Sequence, residues 1–335
     1  MVRRTCPTRL QPMTVAQLDP SRQEHSESSS ASSAVPHSEH MLGEEGYFAL
    51  TWRRLRRDRS AMFGAALVGL IMLAALLAPV LAPYDPAEQF RDGLTPDGQP
   101  IPSTLTNGSQ RFLLGTDANG RDLLSRILYG ARVSLLVGVL ANALAVTIGT
   151  MIGSVAGYFG GRLEALLMRC TEVMMAFPTL LLAMTLVALL KPSVWIIIVV
   201  IGAVYWTWIA RVIYGQVVAL RDRDFVTAAR ALGAGRRFIL FRHILPQLVP
   251  TIIVWGTLGI ATNVMLEASL SYLGIGVQPP TPSWGRMIQQ GQSFYRTAPW
   301  LVIVPGLAIM MTVFAFNLLG DGLRDALDPI QRGKL

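Results

Sequence analysis

Trp52-Arg53-Arg54-Leu55-Arg56-Arg57-Asp58-Arg59 runs directly into an apolar stretch from about Met62 to Ala82, close to the roughly 20 residues a helix needs to cross about 30 Å of hydrocarbon. Its five arginines predict a cytoplasmic amino terminus, because positively charged flanks resist translocation. Further apolar stretches at about 133–157, 168–190, 194–213, 248–271 and 300–319 predict six transmembrane helices in an all-α membrane protein, with the carboxyl terminus also cytoplasmic. The composition agrees: 335 residues, 52% hydrophobic and only 15% charged, with a mean hydropathy of +0.43, carry more apolar side chain than a soluble domain of this size buries. The net charge of +8 then orients loops, and no nucleic-acid partner is expected.

The chain divides into a polar tail over 1–46, a basic cytoplasmic flank over 47–61 and a transmembrane domain over 62–335. The tail holds the run Ser28-Ser29-Ser30-Ala31-Ser32-Ser33 and no periodic apolar pattern, so it is expected to be disordered. It lacks the apolar core of a secretory signal, and Met41 is an alternative first residue. Loop charges test the topology. The cytoplasmic loop 214–247, with the end of the span before it, carries Arg211, Arg221, Arg223, Arg230, Arg236, Arg237 and Arg242 against Asp222 and Asp224, whereas the external turn after span three has only Lys191. The external segment 83–132 mixes arginines with six acids, and its length limits its weight in the comparison.

Most catalytic chemistry is excluded. Cys6 and Cys170 have no metal or redox spacing, and His25, His37 and His40 lie in the tail, leaving His243 alone. Gly233-Ala234-Gly235-Arg236-Arg237 lacks the Lys-Ser/Thr of a phosphate-binding loop, and neither G-x-S-x-G nor H-E-x-x-H occurs. The chain is therefore expected to be no enzyme and to hold no cofactor or metal of its own. Asp117-Ala118-Asn119-Gly120 places its glycine too early for a calcium loop and reads as a turn. From Arg121 to Arg132, the face Leu124, Ile127, Leu128 and Ala131 predicts a helix lying at the external interface. Pro279-Pro280-Thr281-Pro282 reads as stiff and extended.

Within span two, Gly149, Gly153 and Gly157 form a stripe that lets another helix approach closely. Pro178, Pro250 and Pro305 predict kinks. Glu267 is the one carboxylate deep in a span; it either anchors the helix near its external end or meets substrate in a cavity.

In Asp222-Arg-Asp-Phe-Val-Thr-Ala-Ala-Arg-Ala-Leu-Gly233, the residues Phe225, Ala228, Ala229 and Leu232 share one side of a short helix. Asp222 or Asp224 suits its first turn and Gly233 the left-handed residue after its end. Ala228-Ala229-x3-Gly233, followed twelve residues on by Leu245-Pro246, resembles the EAA loop of bacterial ABC importer permeases, with Thr227 where Glu is usual and His243 where Ile is usual. Leu114-Gly-Thr-Asp-Ala-Asn-Gly-Arg-Asp-Leu-Leu-Ser-Arg126, Ser269-Leu-Ser-Tyr-Leu-Gly274 through Ser283-Trp284-Gly285, and Asn317-Leu-Leu-Gly-Asp-Gly322 through Asp328-Pro329 resemble the C-type permeases of the dipeptide, oligopeptide and nickel branch.

The resemblance covers roughly residues 50 to 332 and implies a type I ABC importer permease architecture that imports peptides. It implies a coupling helix, with Asp224, Phe225, Thr227, Ala228, Ala229, Arg230, Leu232, Gly233, Leu245 and Pro246 as the docking region for a cytoplasmic ATPase. The implied partners are a second homologous permease, two ATPase subunits that bind ATP and magnesium, and an extracytoplasmic solute-binding protein, all at the inner membrane of a bacterium. Close relatives carry nickel or other small solutes. A secondary transporter is the rival class, but it calls for inverted repeats and several ionisable midplane residues, and only Glu267 qualifies.

Overall fold

The computed structural model describes residues 47–102 and 112–327; the expectations for the 1–46 tail, Met41, Cys6 and Asp328-Pro329 lie outside them. The described residues are helical apart from turns and two isolated bridges. The basic flank is itself a helix, α1 (Tyr47–Arg57), which ends against Asp58. The Asp58 carboxylate accepts from the Ser60 and Ala61 amides at 2.9 and 3.4 Å and caps α2 (Arg59–Leu76). The Ser60 hydroxyl, which donates to the same carboxylate, and then these amide bonds hold its pKa below the usual carboxylate value. A break at Leu77 separates α2 from the one-turn α3 (Ala78–Leu81).

The long helices follow: α4 (Leu123–Phe159), the pair α5 (Gly161–Met175) and α6 (Thr179–Leu190), α7 (Val194–Arg221), then short α8 (Asp224–Ala231) and α9 (Arg236–Ile239), α10 (Leu245–Tyr272), short α11 (Trp284–Gly291), and α12 (Trp300–Leu327). Among the described residues, α2, α4, α7, α12 and α10 with the turns that lead into it are long and apolar enough to cross a membrane, and the α5–α6 pair makes a sixth if counted as one span.

The predicted third span is the element that differs most. The segment expected over 168–190 begins already at Gly161, and the kink expected at Pro178 is a bend of 87° between α5 and α6. Pro178 has no N–H to give and drives Phe177 out of helical geometry, so α6 starts afresh with Pro178 extended at its N-cap (ψ 122°). Pro250 and Pro305 lie inside α10 and α12, which continue through them.

Span two also starts ten residues earlier than its apolar pattern indicates. The helix expected to lie at the interface over 121–132 forms the first turns of α4, and the polar residues at its start are buried, Ser125 and Arg126 at 0% and 2% exposure, while Arg132 stays exposed. Pro279-Pro280 forms a turn rather than an extended rod. The core is built where α4 meets α7 and α10, with further apolar packing of α2, α11 and α12.

The glycine stripe is the seam of α4 on α7. A Cβ at Gly149 would lie 2.7 Å from Ile209 Cβ, one at Gly153 2.5 Å from the Ala210 carbonyl, and one at Gly157 2.8 Å from Val217 Cβ. The stripe therefore serves close helix packing, and the three residues line no cavity described here.

Candidate functional site: a short helix held on the face of the bundle

The loop between α7 and α10 is built from its ends inward. Arg221, the last residue of α7, donates to the Gly157 carbonyl at the end of α4 at 2.9 Å, so the two helices leave the bundle locked together. Asp222 caps the C-terminal end of α7 and does not reach α8; Arg223 occupies the N-cap of α8 without a side-chain bond, and Asp224 is the acid of its first turn, placed favourably for the helix dipole.

At the other end, the Gly233 N–H donates to Arg230 O and the Ala234 N–H to Ala229 O, each at 3.0 Å. Gly233 has φ +81°. This pair of bonds closes the helix as a Schellman motif, and the left-handed residue it needs is the glycine the sequence supplies. Ile239, at the end of α9, is fully buried. A π-helical turn over Leu240–Ile244 then leads into Leu245 and Pro246, which open α10; the amide hydrogen missing at Pro246 removes a regular α-helical bond there.

The eight residues of α8 have two faces. Val226 is 0% exposed and packs with Tyr158, Val217, Ile239, Ile244 and Leu248. Ala229 is half-buried against the same cluster. The Arg230 guanidinium lies 5.8 Å from the centre of the Tyr158 ring. Outward stand Phe225, Thr227, Ala228 and Leu232, with Leu232 88% exposed. Ala229, grouped with the outward residues on spacing alone, therefore belongs to the holding face. At about 100° per residue it sits about 40° from Phe225 and about 60° from Val226, and the presence of a packing surface under Val226 decides which way it turns. Phe238 and Phe241, which spacing did not single out, are 56% and 67% exposed and extend the apolar surface beyond the helix. Leu245 is half-buried and Pro246 exposed at the start of α10.

Glu267 lies elsewhere, on the opposite stretch of α10. It is 0% exposed and accepts from Ser134 Oγ of α4 at 2.9 Å and from Ser271 Oγ at 2.7 Å. Ser271 Oγ in turn accepts from the Val277 amide at 3.1 Å. The carboxylate thus ties α4, α10 and the following loop.

Two turns toward the loop end, a second polar knot joins the same helices. Asn142 Nδ2 donates to the Gly256 carbonyl at 2.8 Å, and Asn263 Nδ2 donates to Asn142 Oδ1 at 3.2 Å. Gly259 makes room for it, since a Cβ there would collide with Asn142 Oδ1. Neither asparagine was singled out from the sequence, where an Asn inside an apolar run carries no sign of its partner.

The remaining motif residues also have structural positions. In the 114–126 stretch, Asp117 Oδ2 receives Arg121 Nε at 2.7 Å and faces Arg126 Nε at 3.3 Å. Both guanidiniums also donate to Gln290 of α11. Asp117-Ala-Asn-Gly120 is a turn, with the Gly120 N–H on the Asp117 carbonyl at 3.0 Å, and among the described residues no cluster of three or more His, Cys, Asp or Glu could hold a metal. Trp284 inserts beside Gly130 and donates from Nε1 to the Ile127 carbonyl at 3.1 Å. Gly322 presses on Ala61, joining α12 to α2.

The sequence of the chain is similar to those of known proteins. Residues 149–333 match the family described as "Binding-protein-dependent transport system inner membrane component", and residues 46–96 match the N-terminal transmembrane domain of oligopeptide transport permease C. The chain is 43% identical over 279 residues to the di/tripeptide transport system permease protein DppC of Pseudomonas aeruginosa, covering 83% of this chain and 90% of that one. It is 40% identical to the dipeptide transport system permease protein DppC of Haemophilus influenzae, covering 83% and 93%, and 43% identical to the glutathione transport system permease protein GsiD of Escherichia coli, covering 84% and 90%. A family match across more than half of the chain, together with relatives aligned over nearly their whole length, places this protein in the inner membrane permease family of binding-protein-dependent transport systems.

Proposed function

We propose that the chain is one permease subunit of an ATP-driven peptide importer of type I architecture, with six spans, the bent α5–α6 pair being the third, and both termini in the cytoplasm. It pairs with a second permease of the same kind, two cytoplasmic ATPase subunits that bind the ATP and magnesium, and an external peptide-binding protein at the bacterial inner membrane. The peptide assignment rests on relatives that carry dipeptides, tripeptides or glutathione.

The observation that carries the coupling role is the division of labour on α8. Val226 and Ala229 fasten the helix to α4, α7 and α10, while Phe225, Ala228 and Leu232 project as an apolar ridge on a loop rich in arginines. A leucine left 88% exposed beside small alanines is the profile of a helix seated in a groove on another protein. Closure of the ATPases would pull on this helix. The Arg221 bond to Gly157 and the packing of Val226 would then pass the displacement to α4, α7 and α10 as rigid bodies.

The test is Phe225→Glu with Leu232→Glu in the complete complex reconstituted with its ATPases and binding protein. The double change should leave the permease in the membrane while abolishing ATPase stimulation by peptide-loaded binding protein and uptake of a labelled dipeptide. Undiminished stimulation would mean that α8 does not seat in an ATPase groove, and uptake of nickel without dipeptide would overturn the substrate assignment.

A further inference from the structure

Helix α1 takes no part in the loop that carries α8. At about 100° per residue, Leu55 and Trp52 lie about 60° apart on one side, and Arg56, Arg53 and Arg57 follow within about the next 140°. Leu55 is buried with Ala61 of α2 and with Leu323 and Ala326 near the end of α12. Positions six apart on one unbroken helix point about 120° away from one another, so Leu55 and Ala61 reach the same cluster because the axis turns between them. The turn is at Asp58, whose extended backbone (φ −81°, ψ 110°) separates the two helices. Helix α1 therefore leaves the line of the span at the level where the apolar stretch begins.

Trp52 keeps 53% of its surface exposed. The Arg56 guanidinium lies 5.0 Å from the centre of its indole ring, so ring and cation form one unit. Phe63, by the second turn of α2, is 57% exposed, which brings acyl chains up to the level of α1. Arg56, Arg57 and Arg59 are exposed, and none of them has an ion pair among the described residues. Asp58, the acid between them in sequence, is taken up by Ser60 and Ala61.

Orienting a span requires positive charge anywhere in its flank. It does not require an exposed indole under a guanidinium. Indoles gather at the level of lipid headgroups, and a guanidinium held beside one is placed to meet phosphate. A zwitterionic headgroup brings its own ammonium to a cluster of arginines and gains less there than an anionic one.

We propose that α1 is a binding surface for anionic phospholipid, with the Trp52 indole among the glycerol and upper acyl groups and Arg56, Arg57 and Arg59 on headgroup phosphates. In the topology proposed above, this is the cytoplasmic leaflet. Leu55 makes the surface part of the bundle, because it packs α1 onto the ends of α2 and α12.

The experiment uses the full complex in vesicles that mix brominated with ordinary lipid. The fluorescence of wild type minus that of Trp52→Phe isolates Trp52 from the other six tryptophans. Brominated acyl chains quench an indole they touch. Quenching of this difference by brominated phosphatidylglycerol and by brominated phosphatidylcholine, at equal mole fraction, gives their relative affinity for the site. Phosphatidylglycerol should be preferred, and less so at about 1 M salt, where the screening length falls to about 3 Å. Arg56→Gln, with the same difference taken in its background, should lower the preference about fivefold, the effect of one arginine at an anionic surface. Arg169→Gln, an exposed arginine on α5, should leave it unchanged.

Equal quenching by the two lipids overturns the proposal, and so does an equal fall in Arg56→Gln and Arg169→Gln. Absence of quenching by either lipid also overturns it, since another subunit would then cover α1. Quenching that appears only once the ATPase subunits are removed does the same, by making α1 one of their contacts. Peptide uptake does not enter the readout, so this surface and the importer reading fail separately.

Discussion

Gly153→Ala puts one methyl group into the seam of α4 on α7. The added Cβ would lie 2.5 Å from the Ala210 carbonyl oxygen and 3.0 Å from Ile213 Cβ, where ordinary contact begins at 3.4 Å. The oxygen belongs to helix backbone and cannot rotate away. Relief therefore requires the helices to part locally by 0.9 Å, the difference between 3.4 and 2.5 Å. A gap of about that width forfeits a quarter to a half of each neighbouring dispersion contact, and overpacking of this kind costs about 1–3 kcal/mol. Against this, alanine stabilises a helix by about 0.5–1 kcal/mol relative to glycine, leaving a net loss of about 1 kcal/mol. Gly215→Ala supplies the control: it lies on α7 with nothing within 4 Å of its Cβ position, so only the helix term applies and stability should rise by about 0.5–1 kcal/mol. At ~2–4 °C per kcal/mol, heat unfolding of the two variants in one detergent should show Gly153→Ala falling by about 3 °C while Gly215→Ala rises by about 2 °C. Equal shifts of the same sign would refute the argument that the glycine stripe exists for close approach.

The Asn142 knot predicts strong coupling between two positions far apart in sequence. Gly259→Ala should destabilise the protein because its methyl group displaces the Asn142 amide, and in an Asn142→Ala background the same change should cost at least about 1 kcal/mol less, measured as a double-mutant cycle of unfolding. In the 114–126 stretch, Asp117→Ala leaves two guanidiniums buried to 5% and 2% exposure without their carboxylate. It should lower stability by about 3–5 kcal/mol, read as loss of folded protein on size-exclusion chromatography, whereas an unchanged elution profile and melting temperature would show that Gln290 alone satisfies both arginines.

The membrane class, the number of apolar stretches and the short helix ended at Gly233 were all legible in the linear order of residues. Each depends on a local property: the width of hydrocarbon, the period of an α-helix, and the need for glycine at a left-handed turn. The glycine stripe was legible as a site of close approach for the same reason, since a four-residue repeat of one small side chain defines a face. What tertiary structure alone decided is how these faces meet. The sequence shows Pro178 but not that the chain turns by 87° there, because the angle is set by what α5 and α6 pack against. Arg121 and Arg126 read as wet charges of an interfacial helix until the neighbouring turn sets Asp117 against them and the fold brings Gln290 from far along the chain. Ala229 faced the wrong way on spacing alone, because a helix of eight residues has two possible inner faces and only the cluster around Val226 chooses between them. Asn142, Asn263 and Asn317 are the same side chain in similar apolar runs. Two are tied inside the bundle and one is exposed on its side. Hydrophobic periodicity reports burial from water, but it cannot tell a neighbouring helix from lipid or from a partner subunit, and for a polar side chain within the membrane that difference determines its role.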